Sequence, residues 1–314
     1  MQIVQAARAS AILYSLLSSR GDVRPWLLPA NICPVVPLVF RKAGVPFDFA
    51  DISPSSLHMD LDLADERLQP GLFGGLLYAH SYGEPSTPEA FFQRLKARDP
   101  RLFIIDDRCL CSPDLDPLDT YADVALYSTG YAKQVDLGGG GYAFVKSSVR
   151  YVAASLAFEP ARYEELEVSY KLAIRERRPL VYHDSAWLQT VGPLSAWSAY
   201  QARVATAREL ASGLRERIVS IYTQALPAEI QLPAAYQCWR FNLRVPNRAE
   251  LLEAIFAAGQ FASAHYASLA GIMAPGDCPN AEGLASQVVN LFCDRYFTPE
   301  RAERVSAVIL AHMR

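Results

Sequence analysis

The stretch YSTGYAKQVDLGGGG, Tyr127 to Gly141, places one lysine, Lys133, among small and aromatic residues and ends in four consecutive glycines. It overlaps the end of an apolar segment, ADVALYS, that is typical of a buried strand. A lysine that follows a strand and precedes a glycine turn can be partly desolvated and can reach a ligand carbonyl. Burial lowers the pKa of an ammonium group, as Schiff-base chemistry requires. Taken alone, however, the pattern is more typical of a solvated surface lysine.

Short apolar segments alternate with helical patterns along the first two thirds of the chain. The segments predicted to be strands are 26–30, 46–52, 75–81, 102–107, 124–128 and 141–146. PVVPLVFRKAG and PEAFFQRLKARDP lie between them with the apolar spacing of helices. This rhythm predicts an α/β domain with a mostly parallel sheet. In such sheets the polar residues at the carboxyl ends of strands, here His80, Asp106, Asp107 and Ser128, face one ligand crevice.

The pattern changes at about residue 193. The stretch SAWSAYQARVATARELASGLRERIVSIYTQAL is too long for an ordinary surface helix and predicts a connector between two lobes. Two strand patterns and two helix patterns follow it, which predicts a smaller α+β lobe. We therefore place a large domain at residues 1–205 and a small C-terminal domain at residues 206–314.

Composition limits the classes of function. The chain has 314 residues, 51% of them hydrophobic, and a formal net charge of -3. No block of like charge suggests nucleic acid or an acidic membrane surface as a partner. The apolar run in residues 1–22 is interrupted by serines, which favours a helix over a signal peptide or a membrane span. The six cysteines are scattered, and we expect free thiols in a reducing cytoplasm and no metal site.

The segment LFIIDDRC ends a predicted strand in two adjacent carboxylates, Asp106 and Asp107. Neighbouring side chains of a strand point to opposite faces, so one carboxylate can face the crevice while the other turns away. A loop start or a helix cap is the simpler explanation for any single pair of this kind. A carboxylate that keeps a pyridine nitrogen protonated is nevertheless the second requirement of pyridoxal phosphate chemistry. The ordered set of acidic pair, strand, Ser128, Lys133 and glycines is much more specific than any one member.

Taken together, these segments resemble the DegT/DnrJ/EryC1/StrS family of sugar aminotransferases. The resemblance is carried by LLYAHSYGEP, LFIIDDRCLCSP, ADVALYSTGYAKQVDLGGGGYAFVK and VVNLFCDRYFTPERAERV, and it covers most of the chain from about Arg8 onward. It implies the aspartate-aminotransferase fold (fold type I) of pyridoxal 5'-phosphate (PLP) enzymes. It also implies a homodimer that passes an amino group from an amino acid donor, glutamate or glutamine, to a keto-sugar or another small keto acceptor.

The resemblance also implies roles for individual residues. Lys133 would carry the cofactor as an aldimine and would move the proton between the two reacting carbons. Asp107 would hold the pyridine nitrogen, and Ser128 would bind the phosphate. The amides of Ala9 and Ser10, at the start of the first helix, would meet the same phosphate, because a helix N-terminus favours an anion.

The sequence departs from the family pattern at several positions. Cys33 stands where an aromatic residue often stacks on the cofactor ring, Leu110 replaces a glutamine that contacts the ring hydroxyl, and Arg8 replaces a loop glycine. His80 could contact the cofactor or form a structural hydrogen bond, and the sequence leaves both open. The departures keep a second hypothesis open, a degenerate scaffold that binds a partner or metabolite without turnover. The retained Lys133 favours the enzyme.

Two further pairs of residues have both a functional and a structural explanation. His265 and Tyr266 lie where family members approach the substrate from the small lobe, but packing alone would also explain them. Cys109 and Cys111 have a spacing that no common zinc motif uses, so we expect them to pack around the turn after Asp107.

Overall fold

A seven-stranded sheet forms the centre of the large lobe, and the computed structural model describes residues 1–313 of the chain. Its strands are β1 (Gln2–Ala6), β2 (Trp26–Pro29), β3 (Phe47–Ala50), β4 (Gly75–Ala79), β5 (Phe103–Asp107), β6 (Val124–Ser128) and β7 (Gly141–Val145). The spatial order is β1-β7-β6-β5-β4-β2-β3. Neighbouring strands from β3 across to β6 are parallel, whereas β7 runs antiparallel to both β6 and β1. The prediction of a mostly parallel α/β sheet is thus confirmed.

Helices cover both faces of this sheet. They are α1 (Ala9–Arg20), α2 (Val35–Lys42), α3 (Leu61–Arg67), α4 (Glu89–Arg98) and α5 (Pro160–Glu176). Ile105 of β5 belongs to the core under α1 and α2, whereas its neighbour Ile104 belongs to the core under α3 and α4. Because adjacent strand residues point to opposite faces, a strand that is buried on both sides has a continuous apolar sequence.

The first residues of the chain form a strand, and the prediction of a helix was wrong for them. β1 pairs antiparallel with β7, with Gln2 opposite Val145 and Ala6 opposite Gly141. The helix begins only at Ala9. The β-branched pair at positions 3 and 4 favours an extended backbone, but the longer apolar run of α1 dominated the pattern.

The helix α6 (Trp197–Ala225) has 29 residues and connects the two lobes. Near its start Tyr200 and Val204 pack with Tyr142 of β7 in the large lobe. Near its end Ile218 and Tyr222 belong to the core of the small lobe. The helix is therefore the predicted connector. The proposed domain boundary between residues 205 and 206 falls inside it and stays a prediction.

The small lobe contains the antiparallel strands β8 (Phe241–Arg244), β9 (Ala262–Ser263) and β10 (Val288–Leu291), in the order β8-β10-β9. Its helices are α7 (Arg248–Ala257), α8 (Pro279–Ala285) and α9 (Pro299–His312). Thr298 caps α9, and its hydroxyl accepts a hydrogen bond from the Arg301 amide at 3.3 Å. Among residues 1–313, no helix has the length and apolar character needed to cross a membrane.

Candidate functional site

The carboxyl ends of β4 and β5 and the loop after β6 meet at a cavity that encloses about 380 Å³ including its open mouth. Its lining residues come from both lobes: Asn31, Ile32, Cys33, Ala79, His80, Ser81, Asp107, Cys109, Leu110, Lys133 and Tyr266. We call it the Lys133–Asp107 cavity. Four of the predicted site residues, Cys33, His80, Asp107 and Lys133, meet here. Ala9, Ser10 and Ser128 are not among the lining residues.

Asp107 is the carboxylate of the acidic pair that lines the cavity. Its Oδ1 accepts a hydrogen bond from the Cys109 amide at 3.0 Å. Burial raises the pKa of Asp107, although the Cys109 hydrogen bonds and the positive charge of Lys133 act in the opposite direction. A positively charged or N–H group of a ligand in the cavity would therefore relieve the cost of this buried charge.

Asp106 belongs to a separate buried network. Its Oδ1 lies 2.7 Å from His80 Nε2, and its Oδ2 accepts a hydrogen bond from Arg108 at 3.3 Å. His80 Nδ1 lies 2.6 Å from the Glu84 carbonyl oxygen. Burial alone would lower the pKa of His80, but the Asp106 carboxylate outweighs burial and raises that pKa to about 10. Both ring nitrogens of His80 therefore donate to protein oxygens, which favours the structural role over a hydrogen bond to a ligand.

Lys133 lies in the turn after β6, and the small lobe holds that turn. The preceding residue, Ala132, has a positive φ of 59°. Its carbonyl oxygen accepts a hydrogen bond from the Trp239 indole at 2.7 Å, and its amide donates to Asp136 at 3.2 Å. The Nζ atom of Lys133 makes no hydrogen bond and no ion pair with any residue that the structure describes. The amine is thus positioned by its backbone and left free for a ligand.

The walls of the cavity carry little charge beyond Lys133 and Asp107. Cys33 and Leu110, two of the departures from the family pattern, both line it. Burial raises the pKa of the Cys33 thiol, which keeps the thiol neutral. Tyr266 also lines the cavity, and its ring stacks on Trp239 with 6.0 Å between centroids and an interplanar angle of 8°. The cavity thus combines the amine of Lys133, the carboxylate of Asp107 and the Asp106-paired ring of His80 with otherwise neutral walls.

Ser128 and Ala9 are brought together by Gly141. Ser128 pairs with Gly141 across β6 and β7, and a Cβ atom on Gly141 would lie 2.3 Å from the Ala9 amide nitrogen. Only a glycine therefore lets the start of α1 approach the strand this closely. A helix start next to a hydroxyl favours an anion. Ser10 lines a different cavity, together with Arg8.

Replacing Gly141 with alanine is expected to lower the free energy of unfolding by about 1–3 kcal/mol, because the new methyl group overlaps the start of α1. Gly213→Ala is the matched control. Gly213 lies inside α6, where an added Cβ meets no atom within 4 Å, so this variant should gain about 0.5–1 kcal/mol. Urea unfolding measures both changes, and equal stabilities for the two variants would contradict the assigned contact.

Within the described part of the chain, one group of three side chains has the spacing of metal ligands. His58, His80 and Glu84 offer ligand atoms within 4.8 Å of one another. Both nitrogens of His80 are already used, and its ring is protonated. A metal ligand must be deprotonated, so this group does not fit a cation in its present arrangement.

Two residues at the site were missed by the sequence analysis. Asn31 follows β2 and lines the Lys133–Asp107 cavity, and its buried Oδ1 has no hydrogen-bond partner. Arg240 precedes β8 and lines a second cavity that also includes Lys133. Asn31 could have been found as one more polar residue at the carboxyl end of a strand. For Arg240 the only signal is a charge inside the apolar pattern CWRFNL.

Comparisons with solved structures give clear matches. A DegT DnrJ EryC1 StrS aminotransferase from Brucella abortus is 18% identical, with a TM-score of 0.68 over 99% of this chain and 86% of its own. DesI in the presence of its TDP-sugar product is 17% identical, with a TM-score of 0.74 over 100% of this chain and 81% of its own. The chain has the fold of these proteins. The PLP-form of Spr1654 from Streptococcus pneumoniae shares this fold as well, with 15% identity and a TM-score of 0.68 over 97% of this chain and 87% of its own.

These likenesses confirm the expected fold, which we call the aminotransferase fold. Neither the models of known protein families nor the sequences of curated proteins give a match. In the aminotransferase fold of this chain, Lys133 and Asp107 lie at the carboxyl edge of the large sheet, which is where sheets of this type bind ligands.

Proposed function

We propose that the protein is a PLP-dependent aminotransferase. The observation that carries the proposal is that the free amine of Lys133 and the buried carboxylate of Asp107 line one cavity at the carboxyl edge of the large sheet. The amine is the group that can bind an aldehyde cofactor covalently, and the carboxylate is the group that can hold its ring nitrogen. The PLP-form of Spr1654 supports this choice of cofactor.

The residues present fit pyridoxal phosphate. Within the described residues the Asp107 carboxylate forms no ion pair, and Lys133 Nζ makes no hydrogen bond. Asn31 adds a buried acceptor without a partner in the same cavity. Ser128 and the start of α1 lie together through Gly141 and offer a hydroxyl and amides to a phosphate.

When bound, pyridoxal phosphate supplies an electron sink for the carbanion that forms on the substrate. Lys133 Nζ would hold the cofactor at rest. As a free amine, it accepts the proton that leaves the amino-bearing carbon of the donor, and it returns a proton on the acceptor side. Asp107 would keep a proton at the ring nitrogen, and Ser128 with the amides of Ala9 and Ser10 would bind the phosphate. The donor leaves as a keto acid, and the acceptor leaves as an amine.

The proposed amino donor is glutamate or glutamine, and the proposed acceptor is a keto-sugar or another small keto compound. The TDP-sugar product named for DesI supports a sugar acceptor. A homodimer is the assembly that the resemblance implies, and a cytoplasmic location is what the scattered cysteines indicate; both stay predictions. His80 is omitted from the proposed cofactor ligands because both of its ring nitrogens are bound to protein oxygens.

The proposal is tested by trapping the cofactor on Lys133. Purified protein is mixed with equimolar pyridoxal phosphate, reduced with borohydride, digested and mapped by mass spectrometry. We expect a visible absorption band before reduction and a covalent adduct on Lys133 after it. Lys133→Ala should lose the band and the adduct, whereas Lys171→Ala, which removes an exposed lysine of α5, should keep both. Equal trapping in wild type and Lys133→Ala overturns the proposal and favours the non-catalytic scaffold.

A further inference from the structure

The turn that carries Lys133 is strained at the preceding residue, Ala132. Its φ of 59° lies in the left-handed region of the backbone map. A Cβ atom makes this conformation unfavourable, so an alanine keeps it only where surrounding contacts hold it. The contacts of Ala132 therefore also determine where the backbone of Lys133 lies.

The small lobe supplies contacts on both sides of Lys133, through the consecutive residues Cys238 and Trp239. The Trp239 indole N–H donates to the Ala132 carbonyl oxygen at 2.7 Å. The side-chain amide of Gln134 donates to the Cys238 carbonyl oxygen at 3.2 Å. The residue before Lys133 and the residue after it are thus both hydrogen-bonded to one short segment of the small lobe.

Trp239 is itself held on several sides. Only 5% of its surface is exposed, and its backbone amide donates to the Tyr82 carbonyl oxygen at 2.9 Å. Its own carbonyl oxygen accepts a hydrogen bond from Arg215 of α6. Its ring stacks on Tyr266, which lines the Lys133–Asp107 cavity. A donor that is locked by packing and by its backbone can fix the position of the group it binds.

We propose that Trp239 is a positioning residue for Lys133. Its indole N–H binds the Ala132 carbonyl oxygen and keeps the turn in the left-handed conformation. This conformation in turn keeps the amine in the cavity that Asp107 also lines. The inference rests on the proposed function, because it takes Lys133 as the reacting amine. An amine that is held in place reacts faster than a mobile one, since the entropy of positioning is lost during folding and not during the reaction.

The test measures how fast pyridoxal phosphate becomes attached to Lys133. The cofactor is added to cofactor-free protein, the visible band is followed by stopped-flow absorbance, and the adduct is quantified after borohydride reduction. Trp239→Phe keeps an aromatic ring but removes the N–H donor, and it should slow attachment by on the order of 3–10-fold, as expected for the loss of one hydrogen bond. Trp197→Phe is the matched control, because the indole hydrogen bonds among residues 1–313 are those of Trp187 and Trp239. Its attachment rate should stay within about twofold of the wild type.

A second substitution separates positioning from packing. Glycine adopts a positive φ without strain, so Ala132→Gly reduces the need for the indole hydrogen bond. In the Trp239→Phe background we expect Ala132→Gly to restore most of the lost attachment rate. In the wild-type background it should change the rate by less than about twofold. If Trp239 acted only by filling the core, Ala132→Gly would restore nothing.

If Trp239→Phe does not fold, Ala132→Val carries the test. A β-branched side chain strongly disfavours a positive φ while the indole donor stays in place, so attachment should slow by at least about threefold. The inference is overturned if a folded Trp239→Phe attaches the cofactor as fast as the wild type, or if Ala132→Gly restores none of the lost rate.

Acetylation of the cofactor-free protein with acetic anhydride gives a readout that does not depend on the proposed function. Lys133 is half-buried, so a released turn should expose its amine and raise its acetylation rate relative to that of the exposed Lys171. Trp239→Phe is therefore expected to slow attachment of pyridoxal phosphate but to speed acetylation. An acetylation rate that Trp239→Phe leaves unchanged overturns the inference. A rate that rises, in a protein that never attaches the cofactor, overturns only the aminotransferase proposal.

Discussion

Asp107→Asn is expected to lower kcat/KM of transamination by on the order of 10²–10³, about 3–4 kcal/mol of transition-state stabilisation. Asparagine has the same shape as aspartate but no negative charge, so it cannot keep a proton at the ring nitrogen of the cofactor. It can still accept the hydrogen bond that the Cys109 amide donates at 3.0 Å. Steady-state kinetics at saturating pyridoxal phosphate measures the loss.

The same substitution should not destabilise the fold. Burial raises the pKa of Asp107, which means that the folded protein opposes the ionised form of this side chain. An acid whose pKa is raised on folding costs stability at pH values above its ordinary pKa, and removing its charge recovers that cost. At pH 7 we expect the free energy of unfolding of Asp107→Asn to be unchanged or higher. A full loss of activity that coincides with unfolding would contradict the assigned role.

A surface control completes this experiment. Asp116→Asn removes the charge of an exposed aspartate in the loop that follows β5. Its kcat/KM should stay within about twofold of the wild type, because substitutions of this kind rarely affect the fold. If Asp107→Asn were equally mild, the carboxylate would not contact the reacting system.

In contrast to Asp107→Asn, Asp106→Asn is expected to destabilise the fold, with a loss of about 3–5 kcal/mol in the free energy of unfolding. The Asp106 carboxylate is the counter-charge of two buried cations, His80 at 2.7 Å and Arg108 at 3.3 Å. Removing it leaves the buried Arg108 with only the Asp114 carboxylate at 3.5 Å, and it takes away the partner that keeps the His80 ring protonated. Urea unfolding at pH 7 measures the loss. A loss below about 1 kcal/mol, the size seen for exposed pairs, would contradict a buried network.

The pH dependence of stability gives an independent check on this network. His80 has a pKa of about 10 in the folded protein, well above its ordinary value of 6.5. Its contribution is therefore fully present below about pH 6.5 and is lost as the pH rises through about 10. We expect the urea midpoint of the wild type to fall between pH 7 and pH 9. The fall should be smaller in Asp106→Asn, because the partner that raises the pKa is gone.

Glu165→Gln is the matched control for Asp106→Asn. Glu165 pairs with Arg162 at 2.8 Å on the exposed surface of α5, where solvent screens the interaction. This variant should leave the free energy of unfolding close to that of the wild type. The substitutions at two adjacent residues of one strand would then differ in effect: Asp106→Asn would lower the stability of the fold, and Asp107→Asn would lower the activity.

The sequence alone determined the mostly parallel sheet and the place of its crevice. Apolar runs bounded by turn residues report strands directly, because burial on both faces of a sheet leaves no polar position. The acidic pair, Ser128, Lys133 and the glycines also follow one another within a short stretch of sequence. Their order predicted the fold that the comparisons confirmed. Since neighbouring strand residues alternate, the sequence further predicted that Asp106 and Asp107 would face different ways.

The tertiary structure alone decided which groups are free to act. The two ring nitrogens of His80 are hydrogen-bonded to Asp106, 26 residues away, and to the Glu84 carbonyl oxygen. Its position at the end of a strand could not predict this structural role. Residues 2–6 became a strand because β7 offered an edge to them. Arg240 reaches the cavity of Lys133 because α6 and β8 bring the small lobe against the turn after β6. A local pattern reports backbone shape and burial, whereas the partner of a charge depends on contacts between segments distant in sequence.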